Sequence, residues 1–239
     1  MRQMIRTILL DLDNTLLGND MTTFLPAYFT ALQKRMGYLV PGRNLPDLMM
    51  TAVQHIRAVQ KPTSTHFIAF MREFSRLVGR PVETVQRELD IFYQEDYPAL
   101  QKYTQYRPEA RPIVEYLLAE GYCLVIATNP LFPAKAIEQR LAWADLVDLP
   151  FAHVTHMENS YFSKPNLNYY QDILTTIHST PELTWMVGDD PINDIVPART
   201  LGFKTWWISN QTSLNTGVEC DQQGNLATFW QWLQAGGLS

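Results

Sequence analysis

Apolar residues fall into two rhythms along this chain. Short continuous runs occur at Thr7 to Leu10, Tyr122 to Ala127, Thr184 to Val187 and Lys204 to Ile208. Each is rich in Ile, Val, Leu or aromatics and is bounded by turn-forming or polar residues, so each reads as a strand. Between them the spacing turns helical. Glu109 to Glu120 has prolines at its start and stops at Gly121, the usual asymmetry of a helix. Pro133 to Trp143, Asn166 to His178 and Pro191 to Leu201 follow the same pattern, and Asn225 to Gln234 closes the chain. Strands alternating with helices predict an α/β fold, a doubly wound parallel sheet covered on both faces.

One long segment breaks this alternation. From about Met21 to Tyr103 there are four helix-like blocks and no convincing strand. Leu45, Leu48, Met49, Ala52, Val53, Ile56 and Val59 share one stripe at helical spacing. Phe67, Phe70, Met71, Phe74 and Leu77 form a second, and Val82, Val85, Leu89 and Phe92 a third after the break at Gly79-Arg80-Pro81. Faces this apolar need a partner, which predicts a helical subdomain over residues 18–103, inserted after the first strand of a core made of 1–17 and 104–239.

Composition narrows the class. The 239 residues are 46% apolar, enough for a sizeable core, and carry a net charge of −5 with no dense basic cluster. That charge argues against nucleic acid and anionic membranes as partners. No apolar stretch reaches the roughly 18 residues a spanning helix needs. The basic start is not followed by a long apolar segment, so no leader peptide is expected. Cys123 sits in an apolar run and Cys220 in a polar loop, which suits a reducing cytoplasm and no disulfide framework.

Four polar signals stand at the carboxyl ends of the expected strands, where open parallel sheets place their ligands. They are Asp11-Leu12-Asp13-Asn14-Thr15, then Thr128-Asn129 after "CLVIA", Lys164 in "SKPN", and "VGDDPINDI" with Asp189, Asp190 and Asp194. Each has a bland alternative. A lone Thr at a strand end is an ordinary cap, a lone Lys a solvated charge, and acids before a helix favour its positive end. Together they describe more. Two unit charges about 4 Å apart repel by about 4 kcal/mol at an effective dielectric of about 20. A lysine and a divalent cation relieve that repulsion, and oxygen donors with retained waters suit magnesium. Acids, lysine, threonine and metal make a phosphoryl-transfer site.

"DLDNTL", "ATN", "SKPN" and "GDDPINDI" resemble, in order, the four motifs of the haloacid dehalogenase-like hydrolase superfamily. The likeness runs closest to small-metabolite phosphatases of the phosphoglycolate and acylneuraminate phosphatase type, and the insert resembles that superfamily's all-helical cap on a Rossmann-like core. The resemblance implies that Asp11 is the nucleophile that becomes an aspartyl-phosphate. Asp13 is then the acid for the leaving oxygen and afterwards the base for water. Thr128 and the backbone at Asn129 hold phosphate oxygens, and Lys164 neutralises the transferring group. Magnesium is bound by Asp11, Asp189 and the backbone carbonyl of Asp13, with Asp194 acting through water or by orienting Lys164. Asp190 stands where the family often has Ser or Thr, and its role is open.

The resulting expectation is a magnesium-dependent phosphatase, monomer or homodimer, acting on a small phosphorylated metabolite. Crowding by Asp11, Asp189 and Asp194 is expected to favour the protonated form of Asp13, opposed by the metal's charge. Arg43, His55, Arg57, Lys61 and His66 are candidate substrate contacts on the insert. A phosphomutase is the rival within the superfamily; a haloacid dehalogenase has no use for Asp13 and the acidic fourth motif. A phospho-Asp receiver module is the rival from another class, but it is about half this length and lacks a large insert. His153 and His156 in "HVTH" lack a third ligand for zinc, and Trp206, Trp207, Trp230 and Trp232 read as packing rather than base stacking.

Overall fold

The computed structural model describes residues 7–209 and 217–238. The opening residues, on which the leader expectation rests, lie outside the described ones. Six strands, β1 (Thr7–Leu10), β2 (Cys123–Ile126), β3 (His153–Val154), β4 (Thr184–Gly188), β5 (Lys204–Ile208) and β6 (Gln222–Gly224), form one sheet in the order β3-β2-β1-β4-β5-β6. Every pairing is parallel. The four expected strands form the centre, with β1 between β2 and β4. The edge strands β3 and β6 have two and three residues, too short to leave a periodic signal.

Alternation along the central strands feeds two cores. Ile8, Leu10, Leu124, Ile126, Trp185 and Val187 face one cluster, and Leu9, Val125, Ala127 and Met186 face the other. The second is closed by Tyr169, Tyr170, Ile173 and Leu174 from a helix at Leu167–Thr176. Burying a side chain of the Val, Leu or Ile kind contributes about 1.5–3 kcal/mol, so the continuous apolar runs fix the sheet's centre. Trp206 packs on Trp232 at 4.8 Å and Phe229 at 4.9 Å between ring centroids, which gives these aromatics a structural role.

The segment between β1 and β2 holds helices α1 (Met21–Met36), α2 (Leu45–Ala58), α3 (His66–Val78) and α4 (Val82–Ile91), and no strand. Its stripes bury Leu45, Met49, Ala52 and Ile56 from α2, Phe70, Met71 and Phe74 from α3, and Val85 and Leu89 from α4. Val59 and Val82, at the ends of the expected stripes, are exposed. Helices of the core follow: α5 (Ala110–Ala119), α6 (Ala134–Trp143), α7 (Leu167–Thr176), α8 (Val196–Thr200) and α9 (Leu226–Gln234).

The chain leaves and re-enters the sheet region through a hydrogen-bonded pair. Gly18 N–H donates to Gln105 O at 2.8 Å and Gln105 N–H to Gly18 O at 2.6 Å. A Cβ at position 18 would lie 2.9 Å from Gln105 Cβ and 3.0 Å from Gln105 O, so only glycine allows this approach. A Gly18→Ala substitution should destabilise the protein by about 1–3 kcal/mol through overpacking. Denaturant unfolding with an unchanged midpoint would contradict that close approach.

Candidate active site

The centre of the site follows from strand ends. The N–H of Asp11 continues the β1–β4 ladder by donating to Val187 O at 2.9 Å, and Ala127 N–H donates to Leu10 O at 2.8 Å. Asp11, Thr128 and the Gly188-Asp189 step therefore emerge side by side from three adjacent strands. Asn14, at φ 61°, adopts the left-handed conformation that asparagine tolerates and turns the chain back above β1.

Lys164 arrives from the loop before α7 and is 2% exposed. Its Nζ donates to Asp11 Oδ1 at 2.8 Å and to Asp194 Oδ1 at 2.5 Å. Burial pushes the lysine pKa down, but Asp11 and Asp194 outweigh it, so it lies well above the ordinary value and the ammonium is fixed. Asp11 is raised well above the carboxylate range, first by burial and then by Asp194 and Asp189, against the pull of Lys164. Burial and Asp194 likewise raise Asp189 to about 7.

Asp194 is placed by an irregular helix start. Pro191–Ile195 forms a wide π-type turn before α8, a feature that often accompanies functional sites. Asp190, whose role the sequence left open, caps this turn: its Oδ1 accepts from Ile192 N–H at 2.9 Å and Asn193 N–H at 3.1 Å. Asp194 Oδ2 accepts from Asp190 N–H at 3.1 Å, while Tyr170 OH donates to Asn193 O. Both Asp194 oxygens are thus engaged. Trp207 Nε1 donates to Asp189 O at 2.9 Å, which holds the neighbouring backbone from β5.

Asp11, Asp189 and Asp194 offer oxygens within 4.8 Å of one another. Three carboxylates against one lysine leave excess negative charge, and the donors are all hard oxygens. That set fits a divalent cation such as magnesium. Asp194 already accepts one bond on each oxygen, from Lys164 and from the Asp190 amide, so Asp11 and Asp189 are the less engaged carboxylates of the group. Thr128 O accepts from Thr155 Oγ1 at 2.7 Å and Tyr169 OH at 2.9 Å, which anchors the turn after β2. Asn129 Oδ1 and Thr15 Oγ1 nearby are buried without a protein partner.

Asp13 departs from expectation. Its carboxylate does not join the acid group. Oδ2 accepts from Arg140 Nη1 at 2.8 Å and Oδ1 from Asn19 Nδ2 at 2.7 Å. The group paired with Asp13 is therefore a buried cation that the expectation did not include. Sequence reasoning missed Arg140 and Asn19. One signal was present: Ala136, Ile137, Arg140 and Leu141 are all buried on α6, so the arginine interrupts an apolar stripe. Arg107, also missed, donates from Nη1 to Thr15 O at 3.1 Å and feels the charge of Asp189.

The insert's candidate contacts separate. His66 is buried, with Nδ1 at 3.2 Å from Pro130 O, so it ties α3 to the loop after β2. Arg43, His55, Arg57 and Lys61 are exposed. His156 pairs with Glu158 at 2.9 Å, and the group of potential metal ligands found among the described residues is the aspartate cluster.

A sequence model of the haloacid dehalogenase-like hydrolases matches residues 5–202. The chain belongs to that family. No curated protein matches it in sequence. Among solved structures it is similar to a 2-haloacid dehalogenase from Pseudomonas syringae pv. Tomato DC3000, with TM-score 0.66, 21% identity, and 98% and 100% of the two chains covered. A HAD phosphatase from Thermococcus onnurineus has TM-score 0.59 at 19% identity, covering 95% and 97%. A protein described as a predicted phosphoglycolate phosphatase from Haemophilus somnus 129PT has TM-score 0.59 at 17% identity, covering 98% and 100%. These likenesses show the fold, and the family shows a hydrolase.

Gly188 leaves room for Asp194: a Cβ there would stand 2.2 Å from Asp194 Oδ2. A Gly188→Ala substitution should push Asp194 off Lys164 and lower hydrolytic activity by about 100-fold, the scale of a misplaced positioning group. Wild-type kcat/KM in a folded variant would show that Asp194 has no need of that space.

Proposed function

We propose that this hydrolase is a magnesium-dependent phosphatase for a small phosphorylated metabolite. The observation that carries the reading is the buried Lys164 held between Asp11 and Asp194, with Asp189 completing an acid group that has negative charge to spare. A dehalogenase attacks carbon and expels halide, a reaction with no call for surplus carboxylates. Phosphoryl transfer brings an anionic substrate, which needs lysine and a cation together.

In this reading Asp11, steadied by Lys164, attacks phosphorus. The bond to the leaving oxygen breaks as the Asp11–phosphorus bond forms, and Asp13 supplies the proton for that oxygen. Asp13 then takes a proton from water as it attacks the aspartyl-phosphate, releasing phosphate and restoring Asp11. Thr128 and the Asn129 backbone hold the phosphate oxygens, and Asp194 keeps Lys164 aimed at Asp11. Magnesium, held by Asp11, Asp189 and the Asp13 carbonyl, would neutralise charge on the transferring group. Residues 18–103 serve as the cap that excludes water and selects the substrate.

The primary experiment measures phosphate release from a panel of phosphorylated sugars, nucleotides and short acids, with halide release from 2-haloacids in parallel. Halide release without phosphate release would overturn the reading. An Asp11→Asn substitution should reduce turnover by more than about 1000-fold, as loss of an essential nucleophile does, with thermal melting unchanged; a folded variant with near-normal turnover would remove Asp11 from that role. Chelation should abolish activity, magnesium should restore it, and calcium should inhibit because its looser, higher coordination misplaces the nucleophile. Full activity after exhaustive chelation would exclude the metal.

A further inference from the structure

Asp13 is held by a purpose-built box. Arg140 is 1% exposed, and its guanidinium lies 3.9 Å from the ring centroid of Phe132 and 5.0 Å from that of Phe24. Nε donates to Tyr97 OH at 2.8 Å, while Nη1 donates to Asp13 Oδ2 at 2.8 Å. Nη2 is buried without a partner, and Asp13 is the carboxylate within ion-pair distance among the described residues. Phe24 and Tyr97 come from the helical insert, Phe132 from the loop after β2, and Arg140 from α6. Three separate parts of the chain thus converge on one guanidinium whose planar fork fixes direction as well as charge.

An ionised carboxylate has about four acceptor positions. Arg140 and Asn19 occupy one on each oxygen of Asp13, which fixes the direction of those that remain. A group that gives a proton to one oxygen and takes one from another must present its free positions along a reproducible line. Removing one member of a buried ion pair is costly, so Asp13 does not drift from this pose freely.

We propose that Arg140 is the positioning residue of the proton-transferring carboxylate, aiming Asp13 at the leaving oxygen and then at water. The inference rests on the phosphatase reading and its assignment of Asp13. In this assignment Arg140 acts through Asp13, with Tyr97 setting its angle.

The test is a double-mutant cycle on the magnesium-supplemented enzyme, using 4-nitrophenyl phosphate and an alkyl phosphate. Asp13→Asn should give a burst of nitrophenol followed by slow turnover, and little product from the alkyl ester. Arg140→Met should lower kcat by about 10- to 100-fold with KM within about threefold, and the loss should be larger for the alkyl ester. In the Asp13→Asn background the same substitution should change kcat by less than about twofold, because a residue that acts only through Asp13 has nothing left to position. If Arg140→Met shows no cooperative melting transition, Tyr97→Phe takes its place. It leaves the ion pair intact and should lower kcat by about 3- to 10-fold, again only when Asp13 is present. Equal losses in both backgrounds, or unchanged kcat, overturn the inference. Wild-type turnover by Asp13→Asn removes Asp13 from the acid–base role and overturns the inference with it. Failure of the wild-type enzyme to release phosphate from either ester overturns the phosphatase reading itself, a separate outcome from additivity.

Discussion

A single buried ammonium organises the centre of this protein. Lys164 is surrounded by protein, and an isolated charge there would be expensive. It is tolerated because Asp11, from the end of β1, and Asp194, from the helical turn after β4, approach it at 2.8 and 2.5 Å. The dependence is mutual, since without the lysine three acids would repel one another across a few ångströms. Much of the surrounding structure holds these groups at that distance. The ladder bond from Asp11 to Val187, the wide turn at Pro191–Ile195 and the side-chain-free position at Gly188 all serve it.

Around this centre lie two kinds of carboxylate. Asp11, Asp189 and Asp194 share one space and one cation deficit. Asp13 belongs to another neighbourhood, with its own arginine and asparagine. The separation gives one short loop two electrostatic environments, one short of positive charge and the other closed by a buried guanidinium. Two acids two residues apart in sequence are thereby kept from competing for the same partner.

The central strands, most of the helices and the acid motifs were legible because each leaves a local trace. Ile8-Leu9-Leu10 is continuous because β1 is buried on both faces, and the stripes from Leu45 to Phe92 repeat because helices bury one side. What escaped was non-local. β3 and β6 are too short for a period to register. Arg140 meets Asp13 across 127 positions of sequence, and nothing near either residue announces the other. His66 looked like a recognition group because histidine is often one; its burial against Pro130 depends on a loop 64 positions away. Asp190 had no role assigned from its position beside Asp189, and its oxygens are spent on the helix start, a contact set by the local turn.

The link between α3 and the sheet region is a second attachment of the helical segment. His66 N–H donates to Ser160 O at 2.8 Å and Phe67 N–H to Met157 O at 2.9 Å, so the first turn of α3 borrows its acceptors from the loop after β3. A helix normally leaves those donors to water or to a cap of its own. Here the helical segment and the sheet region are stitched at a point far along the chain from the Gly18–Gln105 crossing. Two seams far apart in sequence hold the helical segment to the sheet region, so its orientation over the strand ends is set at both of its ends rather than at the chain crossing alone.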